Sequence, residues 1–570
     1  MKSLSIFAAN ALWYLACLPQ SLAFHVSARA VAGAQRRLLA RLLRRNANTE
    51  YGLKYGFDSI RTVVEYQSRA PLTSYEDYRP LIERAGDGQS SVLTGEPPLL
   101  LEPTSGSTSA TKLIPYTASL KAEFQRGVAP WIIDLYSHYP SLLAGQAYWS
   151  VTPVTQRERR TSGGLTIGFE EESEYLSRWQ RALAASVFAA PPLVKLIDEM
   201  ESFRYVTLLF LLRSRRLALI SIWNPTFLTL LIGKLEDWRP KLVSDIASGA
   251  ISTPTAIEPG LLAQLRKLNP PDPARATEIE AIFRLCTKQN EIYSRLWPGL
   301  RLISCWADAH AGGYARELAG LFPQARVQGK GLLATEGFVS LPLHGRDGAA
   351  LSLRSHFFEF LPVEDSSGSL IVDSARPMLA HELRAGARYS LVITTGGGLY
   401  RYQLRDIVEV TGHYAECPLM RFVGKDDQVS DWFGEKLNAL HVERILAEEL
   451  RRAAVTPAFA MLACETACRP AAYTLFIETF EVEDRALLAL GGRIEGALRE
   501  NFHYDYCREL GQLGRLKVFR IEGAGSEAYL AACQSRGQRA GDIKPAALHR
   551  LDGWSRVFHG DFIASDYNSS

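Results

Sequence analysis

Four short stretches concentrate hydroxyls, glycines, carboxylates and lysines. Residues 102–112 (EPTSGSTSATK) set Thr104, Ser105, Ser107, Thr108, Ser109 and Thr111 around Gly106 and close on the ammonium of Lys112. Backbone N–H groups, hydroxyls and one cation are what a polyphosphate needs. The run is not a GxxxxGK[ST] loop, because its second Gly-Lys step is missing. Alone it reads as a plain loop. Residues 329–337 (GKGLLATEG) deliver Thr335 and Glu336 into a glycine-bounded turn. A carboxylate beside a hydroxyl there suits Mg²⁺, which takes oxygen ligands; an ordinary surface turn is the alternative. In residues 394–406 (TTGGGLYRYQLRD), three glycines after a strand let a ligand approach the backbone. Asp406 can then accept both hydroxyls of a ribose, or pair with Arg401 or Arg405. The last stretch, 541–545 (GDIKP), holds Lys544, by default a surface residue.

These stretches need elements to position them. From Leu99 onward, apolar runs of strand length alternate with helical patterns, which predicts an α/β chain. Strands are expected at 99–101, 113–115, 300–305, 326–328, 390–394 and 407–410. The block 227–291 reads as helical, with a Pro-rich loop at 269–274. Residues 26–45 predict a helix with Leu38, Leu39, Leu42 and Leu43 on one side and Arg36, Arg37, Arg41, Arg44 and Arg45 on the other. A solvated charged face over a core stripe is expected there, in preference to a membrane or nucleic-acid surface. The run 422–432 (FVGKDDQVSDW) marks a hinge. It divides the chain into an N-terminal domain (1–422), a hinge (423–431) and a C-terminal domain (432–570), which suggests catalysis between lobes. No internal repeat is visible, and the polar tail 564–570 is expected to fray.

Composition narrows the function classes. The chain has 570 residues, 47% of them apolar and 22% charged, which excludes a disordered, collagen-like or coiled-coil protein. A net charge of only +3 argues against a general nucleic-acid binder. Of 64 basic residues only 14 are Lys, a bias expected of a GC-rich genome. Eight cysteines include no CxxC pair, and Cys464 and Cys468 lack companions for a zinc site. Free thiols in a reducing cytoplasm are expected. The first 24 residues are apolar after Lys2, but Asn10 interrupts the run, Pro19 ends it and no clean cleavage site follows. A packed helix is the expectation, not a signal peptide. Arg213, Arg215 and Arg216 interrupt the apolar run 205–223, which reads as a buried strand or helix pair and not as a membrane span.

Taken together and in order, LEPTSGSTSATKLIPYT, GKGLLATEG, TTGGGLYRYQLRD, RFVGKDD and GQRAGDIKP resemble one family. The chain resembles a bacterial member of the auxin-responsive promoter (Gretchen Hagen) family of acyl-acid amido synthetases, within the adenylate-forming superfamily. The resemblance runs over residues 11–549. It implies an α/β adenylate-forming enzyme fold: a large N-terminal domain of α/β subdomains plus a β-barrel-like part, and a small mobile α+β C-terminal domain. It also implies two half-reactions, in which a carboxylic acid and ATP give acyl-AMP and an amine, typically an amino acid, then displaces AMP. Residue by residue, Ser105, Gly106, Ser107, Thr108 and Lys112 would cradle phosphates. Thr335 and Glu336 match the nucleotide and Mg²⁺ turn, and Asp406 the ribose-binding aspartate. Lys544 matches the catalytic lysine that reaches the α-phosphate. Lys425 stands at the hinge where the superfamily has Arg, keeping the charge but losing the bidentate geometry. Trp149, Trp306, Phe338 and Tyr400 are aromatic candidates for an acyl pocket, with core packing the expected role of any one of them. ATP and Mg²⁺ are the expected cofactors, and a cytoplasmic monomer with no nucleic-acid or membrane partner is the expected state. Transfer to a thiol such as coenzyme A, or a non-catalytic nucleotide-binding relative, are the competing readings.

Overall fold

In the computed structural model, the structure describes all residues except 1, 105–111, 151–158, 169–186, 310, 367–368, 373–376, 426–428, 431, 434, 436, 481, 537, 539–542 and 565–570. The expected fraying of the tail falls almost wholly outside these. Two sheets of the N-terminal body position the site. The first is parallel, in the order Gln146–Trp149, Leu217–Ser221, Leu302–Cys305, Arg326–Gly329. Its two central strands, Leu217–Ser221 and Leu302–Cys305, are buried apolar runs because helices cover them, among them Met200–Arg213, Pro225–Gly233 and Ala311–Leu321. The second is antiparallel and eight-stranded. Its order is Ser340–Pro342, Ala349–Leu351, Cys417–Lys425, Tyr402–Tyr414, Arg388–Thr394, Phe357–Ser366, Ser369–Val372, with Met378–Leu379 on the side of Phe357–Ser366. Among the described residues its path runs from Ser340–Pro342 at one end to Ser369–Val372 at the other.

The helix Ala118–His138 lies between these layers and the N-terminal helix Lys2–Ser27. That first helix does not stop at Pro19. The carbonyl that Pro19 leaves unpaired belongs to Leu15, on the solvent side, where water can satisfy it. Nor does Asn10 interrupt it. Asn10 is fully buried, donates to the carbonyls of Leu142, Leu143 and Gly145 at 2.9–3.2 Å, and accepts from Tyr136 Oη. The run 205–223 is one helix and one strand, Met200–Arg213 and Leu217–Ser221, with the arginines at their junction. The predicted helical block 227–291 is helical, and Pro273 opens a helix capped by Asp272.

The C-terminal unit is a five-stranded sheet in the order Leu548–His549, Phe459–Glu465, Ala472–Glu478, Lys517–Ile521, Gly560–Phe562. Leu462 and Cys464 face the helices Ala439–Arg452 and Asp484–Leu498, while Met461 and Ala463 face Tyr529, Trp554 and Phe558. The strand Cys417–Lys425 runs three residues past the expected domain edge at 422, so Lys425 belongs to the body's sheet.

His549 packs against Trp554, ring centroids 4.6 Å apart. Burial, with help from Arg536, pushes its pKa down to about 4. An imidazole harder to protonate when folded adds stability above its ordinary value of 6.5, and that stability is lost as pH falls toward 4. Chemical unfolding followed between pH 7 and 4 should therefore lose stability across this window. His549→Gln should flatten the loss; an unchanged pH slope would remove His549 as its source.

Candidate active site

Strands Leu333–Ala334 and Gly337–Phe338 pair antiparallel, leaving Thr335 and Glu336 as the two residues of a tight turn. Tyr116 Oη donates to the Thr335 carbonyl at 3.0 Å and ties the turn to the strand that follows the hydroxyl-rich loop. Gly337 is required here, since a Cβ would sit 2.8 Å from His356 Nε2. The Phe338 N–H donates to that nitrogen at 2.9 Å, so Nδ1 carries the ring proton and donates to Glu123 Oε2, also at 2.9 Å. The same carboxylate oxygen accepts from the Gly396 N–H at 2.8 Å. Glu123 and His356 are both buried, and together they bridge the Thr-Glu turn and the glycine turn.

The glycine turn serves packing, which corrects the expectation that it opens the backbone to a ligand. A Cβ on Gly396 would meet Ser119 at 2.7 Å and Glu123 at 2.8 Å, and one on Gly397 would meet the Pro115 carbonyl at 2.7 Å. Thr117 caps the helix Ala118–His138 and donates to the Gly396 carbonyl at 2.8 Å, pressing the turn onto the helix start.

Past that turn, the strand Tyr402–Tyr414 carries a bulge. Ser390 pairs with Ile407 but Val392 pairs with Gln403, so residues 404–406 stand opposite one residue, and Arg405 takes φ +61°. The bulge sets Asp406 across from Lys425 on the next strand, with Nζ 2.8 Å from Oδ1. Neither predicted arginine partner is used: Arg401 is buried against Glu359 at 3.0 Å, and Arg405 is exposed. Glu336 shares this field. Burial pushes its pKa up, Lys425 pulls it back, Asp406 adds to the rise and Lys112 opposes it. Tyr402 Oη donates to Glu336 Oε1 at 3.4 Å.

Lys544 arrives from the C-terminal unit. Its Nζ lies 4.2 Å from the Trp306 ring centroid and 5.5 Å from that of Phe422, a cation held over two aromatic faces. Asn224 Nδ2 donates to the Ile543 carbonyl at 2.6 Å and Tyr529 Oη to the Lys544 carbonyl at 3.1 Å, which pins the segment from both sides. Trp306 continues from the parallel strand Leu302–Cys305, at the carboxyl end of the sheet, where open α/β sheets place ligands. Trp223 and Lys330 stand at the same end, with Lys330 Nζ 2.6 Å from Ser221 Oγ.

The structure thus brings together Lys112, Thr335, Glu336, Asp406 and Lys425, and sets Lys544 against Trp306. Ser105, Gly106, Ser107 and Thr108 lie outside the described residues. The base of their loop is closed by the Thr104 N–H donating to the Lys112 carbonyl at 2.8 Å. Two of the aromatic candidates belong to the core, the role expected of them. Tyr400 is fully buried, stacked on Tyr51 and donating to the Leu93 carbonyl; Phe338 packs edge-on against Phe124. Trp149 packs among Trp13, Trp131 and Phe188. Trp306 keeps a partly accessible ring. Sequence reasoning missed Glu123, His356 and Trp223, and none of them stands in a motif.

The body and the smaller C-terminal unit together have the fold of a solved acyl acid amido synthetase. The solved structure of AtGH3.15 acyl acid amido synthetase in complex with 2,4-DB superposes with a TM-score of 0.81 over 95% of each chain, at 21% identity. The GH3 family N-terminal domain matches residues 22–327 and the GH3 family central domain residues 349–425. The chain belongs to the GH3 family. It is 24% identical to indole-3-acetic acid-amido synthetase GH3.2 of Arabidopsis thaliana over 78% of this chain and 81% of the relative. It is 23% identical to jasmonoyl–L-amino acid synthetase JAR4 of Nicotiana attenuata over 70% of each.

Because Lys425 supplies the counter-charge to a nearly buried Asp406, its charge should matter more than its shape. Lys425→Ala should weaken ATP binding about tenfold, whereas Lys425→Arg should stay within about threefold of the parent. Calorimetric titration with ATP checks both; wild-type affinity in Lys425→Ala would show the pair to be dispensable.

Proposed function

We propose that this chain is an ATP-dependent acyl acid amido synthetase. It joins a carboxylic acid to ATP as acyl-AMP, releasing pyrophosphate, and passes the acyl group to an amine, an amino acid being the favoured acceptor. The observation that carries this reading is Lys544, brought from the C-terminal unit onto the aromatic wall at the carboxyl ends of the parallel strands. The relatives' names, an indole-3-acetic acid-amido synthetase and a jasmonoyl–L-amino acid synthetase among them, support an acid and an amino acid as the substrates.

The chemistry asks for what these residues offer. Attack of a carboxylate oxygen on the α-phosphorus joins two negative charges, and cations aimed at the developing phosphorane charge lower that barrier. Lys544 is the cation for the α-phosphate, with Lys112 serving the neighbouring phosphates. Asp406 accepts the ribose hydroxyls while Lys425 balances its charge. Glu336 suits Mg²⁺, which is held by one or two carboxylates together with phosphate oxygens. Its raised pKa beside Asp406 is the mark of a carboxylate that a cation would relieve. When bound, the ion would neutralise the departing pyrophosphate. Lys544 has an exposed flank, so rotation of the C-terminal unit after the first step would withdraw it and admit the amine. Eight cysteines outside any disulfide, seven of them buried, support a reducing, cytoplasmic setting. The excess of Arg over Lys supports the bacterial source.

Pyrophosphate release over a panel of carboxylic acids, followed by mass spectrometry of products formed with pooled amines, tests the reaction. Supplying coenzyme A alone separates thioester from amide formation. Lys544→Ala should lower acid-dependent pyrophosphate release by about 10²–10³ while leaving ATP binding largely intact. Asp406→Ala should instead weaken ATP binding. Unchanged release in the first variant, or unchanged affinity in the second, would remove that residue from its role.

A further inference from the structure

The N-terminal segment has a charge imbalance that the whole chain hides. It carries seven basic side chains and no acidic one before Glu50, although the net charge of the full chain is only +3. The remainder is therefore net negative. Such asymmetry points to a surface with an anionic partner.

Two helices make up this segment. The first, Lys2–Ser27, is anchored on one side, where Asn10, Trp13, Cys17 and Phe24 are buried. Its other side is apolar and bare: Leu4, Phe7, Leu12, Leu15, Leu22 and Val26 are 50–79% exposed. At a helix's rotation per residue these six fall within an arc of about 140°. No charged residue lies between Leu4 and Val26 to break the row. Isolated exposed leucines are ordinary, but a continuous row along a helix of this length marks an interaction site.

At the C-terminal end of the row, Ala23 and Val26 form one wall of a cleft of about 390 Å³. Arg37 and Arg41 of the second helix, Val31–Arg45, form another wall, and Arg126 and Arg354 stand behind them. Four guanidiniums thus share one cleft with an apolar edge. Arg126 lies 3.8 Å from Oε1 of the buried Glu123, whose other oxygen accepts from His356 and Gly396. Arg126 and Arg354 also have lowered pKa values, from burial first and then from neighbouring arginines.

We propose that this face docks the enzyme on an anionic phospholipid surface, with the leucine row in the interface and headgroup phosphates in the arginine cleft. An interfacial helix combines an apolar face with flanking cations, as these two helices do jointly. The anchored side makes the first helix lie along the bilayer and not cross it. A second copy of the chain is the poorer occupant, because a two-fold contact would set this basic cluster against itself. The proposal departs from the expectation that residues 26–45 present only a solvated face, and it does not depend on the activity proposed above.

Co-sedimentation of the full chain with vesicles tests it. The protein should pellet with an equal mixture of phosphatidylcholine and phosphatidylglycerol, far less with phosphatidylcholine alone, and should be released by added salt. Arg37→Glu with Arg41→Glu, and separately Leu15→Glu with Leu22→Glu, should each lower partitioning by more than about tenfold. Both pairs should keep acid-dependent pyrophosphate release in solution, which shows that they fold. No pelleting, equal pelleting on neutral vesicles, or insensitivity to either pair would overturn the proposal. So would a dimer in the absence of lipid that Leu15→Glu with Leu22→Glu makes monomeric, since that would assign the face to self-association.

Discussion

A carboxylate withdrawn from water destabilises a fold unless its lone pairs are met, and Glu123 is met by groups from two distant turns. Its Oε2 accepts from His356 Nδ1 and from the Gly396 N–H, while the far nitrogen of the same imidazole accepts from Phe338. Helix, hairpin and glycine turn are therefore held to one another through a single buried pair. The close approaches around it follow. Neither Gly337 nor Gly396 has room for a Cβ, since each lies against one member of the pair. Satisfied networks of this kind specify one arrangement, because losing any member strands the others in low dielectric.

What the pair positions is a small field of opposed charges. Thr335 and Glu336 project from the hairpin, and Asp406 follows the glycine turn by way of a bulge that sets it opposite Lys425. Burial and then Asp406 make Glu336 harder to charge, and Lys425 and Lys112 oppose them. The polyphosphate and counter-ion proposed above would extend that alternation of signs. Lys544 completes it from the other unit, over Trp306 and Phe422. This lysine docks by cation–π contact on an accessible edge, which suits a group that must arrive for one step and leave for the next.

Local chemistry was the legible part. Thr335, Glu336 and Asp406 could be picked out because each sits in a stretch whose residue types match a task, and Lys544 only through the resemblance of its stretch to the family; of the parallel strands, those near 300–305 and 326–328 were legible. What depends on tertiary register was not. Glu123 and His356 are 233 positions apart, and each alone is an ordinary residue. The partner of Asp406 required knowing a bulge in one strand and its pairing with the next. The glycine turn was misread because sequence shows that a Cβ is missing, not whether protein or ligand fills the space. Pro19 looked like a helix end, yet its unpaired carbonyl faces solvent. Which side of an apolar helix is bare depends on what packs against the other, so the leucine row beside the arginine cleft was invisible as well.

The central claim is that the buried Glu123–His356 pair sets the geometry of the proposed ATP site. The most direct measurement is the equilibrium affinity of Glu123→Gln for ATP, on protein whose cooperative unfolding shows that it remains folded. Losing one acceptor should loosen the hairpin from the glycine turn and weaken ATP binding by roughly tenfold, the scale on which outer positioning partners act. Wild-type affinity in the folded variant would contradict the account.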